Sequence, residues 1–211
     1  MLIKKEVIAF VDWNSQCHNA GQSREIRIER KVEKTADYIV ETVARILSTI
    51  DKADRFDVTL RLYYGWHRGL TKTESRAELE RQISQKDLPN RRGKCMLNWK
   101  EAFGDRLLSA GNHRLNKRLN IHLPDTLRAE ATTGTGEREK MVDTALVSDL
   151  LCATRSSPQA CKMVLAEDDD FVPALYVAEQ WSNSGGRCFM VRTHGSSDHL
   201  SLNGLVINPR G

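Results

Sequence analysis

Apolar residues recur along the chain with two different periods, and the period separates strands from helices. Val7-Ile8-Ala9-Phe10-Val11 is a continuous apolar run that stops at Asp12-Trp13-Asn14. A run without alternation is the pattern of a strand buried on both faces, as at the centre of a parallel sheet. Apolar positions then fall at 32, 36, 39, 40, 43, 46, 47 and 50, which is helical spacing. Residues 58–64 are β-branched and aromatic-rich and end at Gly65, which predicts a second strand. Strand, helix and strand in that order make a βαβ unit.

The segment 66–118 breaks this rhythm. Thr71-Lys72-Thr73-Glu74 reads as a capping box for a helix to about residue 84, and Asn98-Trp99-Lys100-Glu101 as a second one. Trp99, Ala102, Phe103 and Leu107 would form the apolar stripe of that second helix. Pro89-Asn90-Arg91-Arg92-Gly93-Lys94 is a basic turn between them. Residues 121–123 read as a short strand.

Regularity returns in the last third. Thr132-Thr133-Gly134-Thr135-Gly136 is a flexible loop, and 142–153 is helical by Val142, Leu146 and Leu150. Residues 162–166 read as a buried strand that stops at Glu167-Asp168-Asp169-Asp170. A helix follows over 171–181 with Pro173 in its first turn, where proline is well tolerated. Ser184-Gly185-Gly186 ends it, 187–191 is a further strand, and 205–207 a short edge strand. The chain carries no internal repeat.

With 211 residues and a mass of 23.9 kDa, the chain suits a single domain with its own core. Hydrophobic residues make up 40% and charged residues 28%, which excludes disordered and fibrous classes. The longest apolar runs reach about five residues, far short of the roughly 20 that a membrane span needs. Met-Leu-Ile-Lys-Lys-Glu at the start lacks the pattern of a secretory signal, so a cytoplasmic location is expected. Cys17, Cys95, Cys152, Cys161 and Cys188 contain no C-x-x-C pair, which argues against a disulfide framework or structural zinc. Cys17 beside His18 makes a poor nucleophile and base, because adjacent side chains seldom point together.

Candidate chemistry gathers where the strands end. In open α/β sheets ligands bind outside the carboxyl ends of the strands. Asp12 ends the first strand, Asp168 and Asp170 follow the strand that stops at Ala166, and Asp143 opens a helix. Asp169 should point away from its neighbours. Each alone reads as a cap or a solvated turn residue, but their coincidence at one edge points to a shared role. Clustered carboxylates repel one another unless a cation compensates. Hard oxygen donors suit Mg²⁺ or Mn²⁺ and metal-assisted phosphoryl chemistry.

Three segments carry a resemblance. Residues 7–14 resemble the opening strand of the NYN domains, nucleases of the PIN-like superfamily. Lys140-Met141-Val142-Asp143, with Leu146 and Asp149, is similar to that family's K-G-V-D helix. Residues 165–171, with Val172 and Pro173, resemble its S-G-D-S-D-F-x-P motif, and all three occur in the family's order. The resemblance implies one three-layer, Rossmann-like PIN domain over 1–211. It has a mainly parallel central sheet, and a basic, partly helical insertion falls at about 66–120. It further implies a metal-dependent ribonuclease with Asp12, Asp143, Asp168 and Asp170 as catalytic ligands of Mg²⁺ or Mn²⁺. Asn14 would position Asp12 or a phosphate, and Asp149, out of phase with Asp143, would serve in support. Met141 departs from the family's glycine, and Glu167-Asp168-Asp169 from its Gly-Asp-Ser.

The charge bears on the partner. The net charge is +4, yet residues 66–118 hold 13 Lys and Arg against six Asp and Glu, a segment charge of +7. The remainder, at −3, contains every proposed metal ligand. Cations that hold a phosphate backbone beside carboxylates that hold a metal are what a nuclease requires. Arg91, Arg92 and Lys94 in their turn, with Arg138 and Lys140 beside Asp143, are the expected substrate contacts. The face of 72–86 reads as a solvated surface. Trp66 and His67 are candidates to stack on bases, while Trp99 has core spacing. The glycine loop lacks a G-K-[ST] ending, and no His residues form a metal-binding pair; His194 and His199 are marginal supporting candidates. RNA is the expected partner, ahead of DNA, with a homo-oligomer or protein partner open. Two alternatives remain: an RNA-binding or partner-regulating module with a weakened site, and a haloacid dehalogenase-like phosphatase. Asn14 stands where the phosphatase would need an acid.

Overall fold

A computed structural model describes residues 3–109, 122–129, 136–183, 186–193 and 205–207. The first half of the chain runs β1 (Lys4–Asp12), α1 (Trp13–Asn19), α2 (Ile28–Ile50), β2 (Arg55–Tyr63), β3 (His67–Arg68), β4 (Thr71–Lys72), α3 (Glu74–Gln85), β5 (Arg91–Arg92) and β6 (Cys95–Asn98). The second half supplies β7 (Leu127–Ala129), β8 (Glu137–Glu139), α4 (Val142–Ser156), β9 (Cys161–Leu165), α5 (Val172–Trp181), β10 (Arg187–Val191) and β11 (Val206–Ile207). The fold is α/β. Its seven-stranded sheet has the order β11-β10-β9-β1-β2-β6-β5 and is parallel throughout except for the β5–β6 hairpin. No helix among the described residues is long and apolar enough to cross a membrane.

The unbroken apolar run of β1 occupies the centre of the sheet, paired with β2 on one side and β9 on the other. Alternate residues feed two cores. Val7, Ala9 and Val11 pack with Val32, Ile39, Val43 and Leu47 of α2. Phe10, together with Val164 of β9, packs with Leu146 and Leu150 of α4 and Leu175 of α5. Helices therefore cover both faces of the sheet, as strands buried on both sides demand.

The α4 face buries an ion pair. Arg61 of β2 and Asp149 of α4 bond side chain to side chain, with exposures of 4% and 0%. Asp149 also accepts from Tyr63 Oη at 2.8 Å and from Leu108 N at 2.7 Å, while Arg61 donates to the carbonyls of Glu101 at 3.1 Å and Arg106 at 2.7 Å. The pair thus ties β2 and α4 to the stretch 101–108. A buried charge is tolerable only when paired and hydrogen-bonded, as this one is.

The middle of the chain differs from expectation. Within 66–109, α3 is the one long helix among the described residues, and β6 joins the main sheet parallel to β2. Thr73, at the third position of the expected capping box, is the true N-cap of α3, its Oγ1 accepting from Arg76 N at 3.4 Å. The expected helix over 99–107 does not form. Asn98 uses its side chain in a local turn to Lys100 N at 2.9 Å, and the backbone of Ala102 and Gly104 bonds to Leu62 at 2.5 and 2.8 Å. Pairing with the end of β2 satisfies these backbone groups and buries Trp99 and Ala102 without a helix. Gly104 is required there, since a Cβ would lie 2.3 Å from the Tyr63 ring. The face of α3 expected to be solvated buries Arg76, Glu78 and Gln82. Residues 122 and 123 form no strand, and Ile121, residues 132–135, Ser184, Gly185, His194 and His199 lie outside the described residues.

Removing one member of the buried pair should leave the other charge uncompensated. Asp149→Ala is expected to lower the unfolding free energy by about 3–5 kcal/mol. The double variant Arg61→Leu/Asp149→Leu should lose far less than the two single changes added together. Urea denaturation of Arg61→Leu, Asp149→Leu and the double variant measures this, and strictly additive losses would contradict the coupling.

Candidate functional site

The first half of the chain builds the sheet outward from β1 through β2 and β6, and the second half builds it the other way through β9, β10 and β11. The strand order therefore reverses between β1 and β9, and the crevice beyond their carboxyl ends is where such sheets bind ligands. Val11 pairs with Leu165, so Asp12 lies beside Ala166, with Tyr63 its partner on the other side.

Asp12 ends β1 and is the N-cap of α1. Its Oδ1 accepts from Asn14 N at 3.1 Å and Ser15 N at 3.5 Å, and its Oδ2 from the Ser15 hydroxyl. The backbone of residue 14, rather than an exposed Asn14 side chain, holds this carboxylate, and Ser15 shares the task. Asp168 likewise caps the short turn Asp169–Phe171, accepting from Asp170 N at 3.0 Å. The capping role that strand-end aspartates often fill is thus real here, and it fixes both side chains against their loops.

Asp143 stands exposed in the first turn of α4, where the helix dipole favours a negative charge. The N-cap before it, Met141, has φ of 66°. This left-handed backbone explains why a glycine would be at home at that position. A methionine there carries a strain of roughly 1–2 kcal/mol.

Glu139 is a fifth acid that the sequence patterns did not single out. Its Oε1 accepts from Gly65 N at 2.7 Å, immediately beyond the end of β2. Gly65 has no room for a side chain, since a Cβ would lie 2.8 Å from Leu127. The signal lay in the alternation of Glu137-Arg138-Glu139-Lys140, which reads as a strand with acids on one face and cations on the other.

The charges of these residues are felt between them. Burial, and then the Asp143 charge, raise the pKa of Asp12 against the opposing hydrogen bonds of Ser15. Partial desolvation, followed by the charges of Asp168 and Asp170, raises the pKa of Asp143. Burial, with further contributions from Asp12 and Asp143, pushes Glu139 up to about 7, although the Gly65 N–H opposes the shift. The fold therefore brings Asp12, Glu139, Asp143, Asp168 and Asp170 to one edge, where carboxylate charges act on their neighbours. Among the described residues, no three His, Cys, Asp or Glu side chains converge tightly enough to hold an ion by themselves. In donor chemistry and charge the group fits a hard divalent cation.

The neighbouring acids are occupied otherwise. Glu167 accepts from Asn19 Nδ2 at 2.7 Å and from Thr193 N and Oγ1 at 2.9 and 2.6 Å, tying α1 to the end of β10. Asp169 turns to Arg192, with Oδ1 to Nη2 at 2.5 Å. Asp149 belongs to the buried pair with Arg61 and supports α4 from within the core.

The expected substrate contacts divide into two groups. Arg138 and Lys140 lie on or just beyond β8, next to Glu139, and form no salt bridge within the described residues. The Lys140 backbone is pinned to Thr126 O at 2.9 Å. Arg91, Arg92 and Lys94 lie at the opposite end of the sheet. Lys94 O accepts from Phe56 N, whereas Asp12 sits beside Tyr63, seven residues further along β2, or about 23 Å. Arg92 pairs with Glu41 at 2.5 Å, and Lys94 Nζ binds Ala53 O at 3.0 Å. A local basic turn could not reveal which end of the sheet it would reach. The aromatic candidates are also spent on packing. Trp66 is fully buried against Trp13, Tyr64 and Phe103, Trp99 donates to Pro89 O at 2.8 Å, and His67 is buried beside Asp105.

Glu139 makes the cost of the site measurable. A carboxyl whose pKa is raised on folding destabilises the fold when ionised. That penalty is complete above pH 7 and disappears below about 4.5. Glu139→Gln keeps the acceptor for Gly65 and removes the charge. Its melting temperature is expected to exceed that of the unmodified protein at pH 8, with the difference shrinking toward pH 5. A pH-independent difference in thermal melts would contradict the assignment.

Comparison of the chain with known protein families, curated proteins and solved structures returns no match.

Proposed function

We propose that this protein is a metal-dependent ribonuclease whose acidic edge, Asp12, Asp143, Asp168 and Asp170 with Glu139 beside them, binds Mg²⁺ or Mn²⁺. The supporting observation is the position and charge of that edge. Carboxylates from separated segments come to the switch point of a parallel sheet, and burial together with neighbouring carboxylate charge raises the pKa of Asp12, Asp143 and Glu139. Proteins keep such costly arrangements where a ligand repays the strain. The PIN-like reading of the three motifs agrees with a parallel α/β sheet bearing its acids at this edge.

Asp12 and Asp168 are held by their capping bonds, so each presents a fixed carboxylate with lone pairs left over. Asp143, on the first turn of α4, and Asp170 would add further hard oxygens to a bound ion. A bound Mg²⁺ or Mn²⁺ would supply an acidified water and neutralise charge developing on the phosphate. Arg138 and Lys140 would hold the phosphate backbone next to these carboxylates, and Lys140, with its backbone fixed, does so from a defined place. Glu139, whose carboxyl is poised near neutrality, lies where a proton from the attacking water could be taken. Hydrolysis by this arrangement needs no covalent intermediate.

The absence of a tight triad of ligands among the described residues favours, as a second reading, an RNA-binding module with a weakened site. One experiment separates the two. Labelled RNA is incubated with the protein in Mn²⁺, in Mg²⁺ and in chelator, beside Asp12→Asn and Asp168→Asn. Cleavage is expected only with metal and should fall by about 10³-fold or more in either variant, the loss typical of an essential catalytic group. Mn²⁺ should also raise the melting temperature of the unmodified protein and not that of Asp12→Asn. Cleavage that survives both substitutions would sink the metal site. RNA binding without cleavage under every condition would favour the module.

A further inference from the structure

A second polar site lies away from the acidic edge. A cavity of about 310 Å³ opens on the α4 side of β2, lined among others by Arg76, Lys100, Phe103, Asp105, Arg106 and His122. None of the five carboxylates described above lines it. Its volume falls at the low end of small-molecule sites and suits one nucleotide better than a longer ligand.

The lining is unusual in being both fixed and incomplete. The Arg76 guanidinium lies over the Phe103 ring, 3.4 Å from its centroid, with Nε bound to Glu80 at 2.9 Å and Nη1 to Asp105 at 2.6 Å. Arg76 is 4% exposed. A planar cation pinned on three sides is a rigid shelf, and guanidinium planes and aromatic rings are the surfaces on which unpaired bases stack. The Asp105 side chain is fully buried, yet its Oδ1 has no hydrogen-bond partner among the described residues. An orphaned carboxylate oxygen is costly, and an N–H donor on a ligand would relieve it. Lys100, Arg106 and His122 are exposed at the rim. There the two long cations outnumber the one rim acid, Glu101.

We propose that this cavity binds a nucleoside monophosphate unit. The base lies against the Arg76–Phe103 shelf and donates an N–H to Asp105, and the phosphate meets Lys100 and Arg106 at the rim. The unit comes either from a free nucleotide or from one residue of an RNA strand. Guanine, which carries two adjacent N–H donors on its pairing edge, is the base that best suits a carboxylate acceptor. The proposal stands on these residues alone and does not depend on cleavage at the acidic edge.

Calorimetric titration in the presence of chelator tests it. Guanosine monophosphate, uridine monophosphate, inorganic phosphate and a short single-stranded RNA are each titrated into three proteins. These are the unmodified chain, the surface variant Lys100→Ala/Arg106→Ala, and Asp12→Asn. Guanosine monophosphate is expected to bind more tightly than phosphate, to bind Asp12→Asn unchanged, and to bind the double variant about tenfold or more weakly. Binding of RNA but not of the free nucleotides, lost in the double variant, identifies the occupant as a unit of an RNA strand. Phosphate binding as tightly as guanosine monophosphate would overturn the base site. No binding of any nucleotide or RNA, or binding untouched by the double substitution, would overturn the proposal as a whole. Retention by Asp12→Asn keeps its outcome separate from that of the nuclease reading.

Discussion

The pairing of β1 with β9 is the constraint on which the rest of the molecule depends. These strands are far apart in the chain, and closing that loop carries an entropic cost that only buried apolar contacts on both faces of the sheet can offset. Val7, Ala9 and Val11 supply one face, and Phe10 and Val164 the other. Once the register is set, with Val11 opposite Leu165, the ends of the two strands must coincide. Asp12 then stands beside the turn that carries Asp168 and Asp170. The acidic edge is a consequence of how the sheet is hydrogen-bonded.

The same sheet explains why the acids are endured. Their repulsion works against folding, while the cores on either face and the Arg61–Asp149 pair hold α4, and with it Asp143, in place. Stability is concentrated under the site rather than within it. The N-capping bonds of Asp12 and Asp168 add local rigidity at the acidic edge. Under the proposed function this division would suit a cation site, because the carboxylates are positioned before any ligand arrives.

Several features were legible from residue order. An apolar run with no alternation meant a strand covered on both faces, and β1 is the central strand. Helical spacing from 32 to 50 marked α2, whose first turn begins only a little earlier, at Ile28. Pro173 falls in the first turn of α5 as its position implied. Asp169 does point away from its neighbours, toward Arg192. Local chemistry decides these features, and local chemistry is written in the order of residues.

Other features depended on partners distant in the chain. The stripe of Trp99, Ala102 and Phe103 had the spacing of a helix, but the free edge at the end of β2 offered its backbone a better set of hydrogen bonds. Glu139 became part of the acidic edge because Gly65, which lies beyond another strand, holds its carboxylate. Arg91, Arg92 and Lys94 looked like substrate contacts by composition, yet the direction of β6 carries them to the far end of the sheet. Asp105 and Arg76, separated in sequence, meet under Phe103 to floor a cavity that no motif announced. By itself the sequence determined the central strand, the major helices, and the acids that end β1 and follow β9. Tertiary structure alone decided which charges share an edge and which are neutralised, since a charge's effect depends on neighbours that only the folded chain supplies.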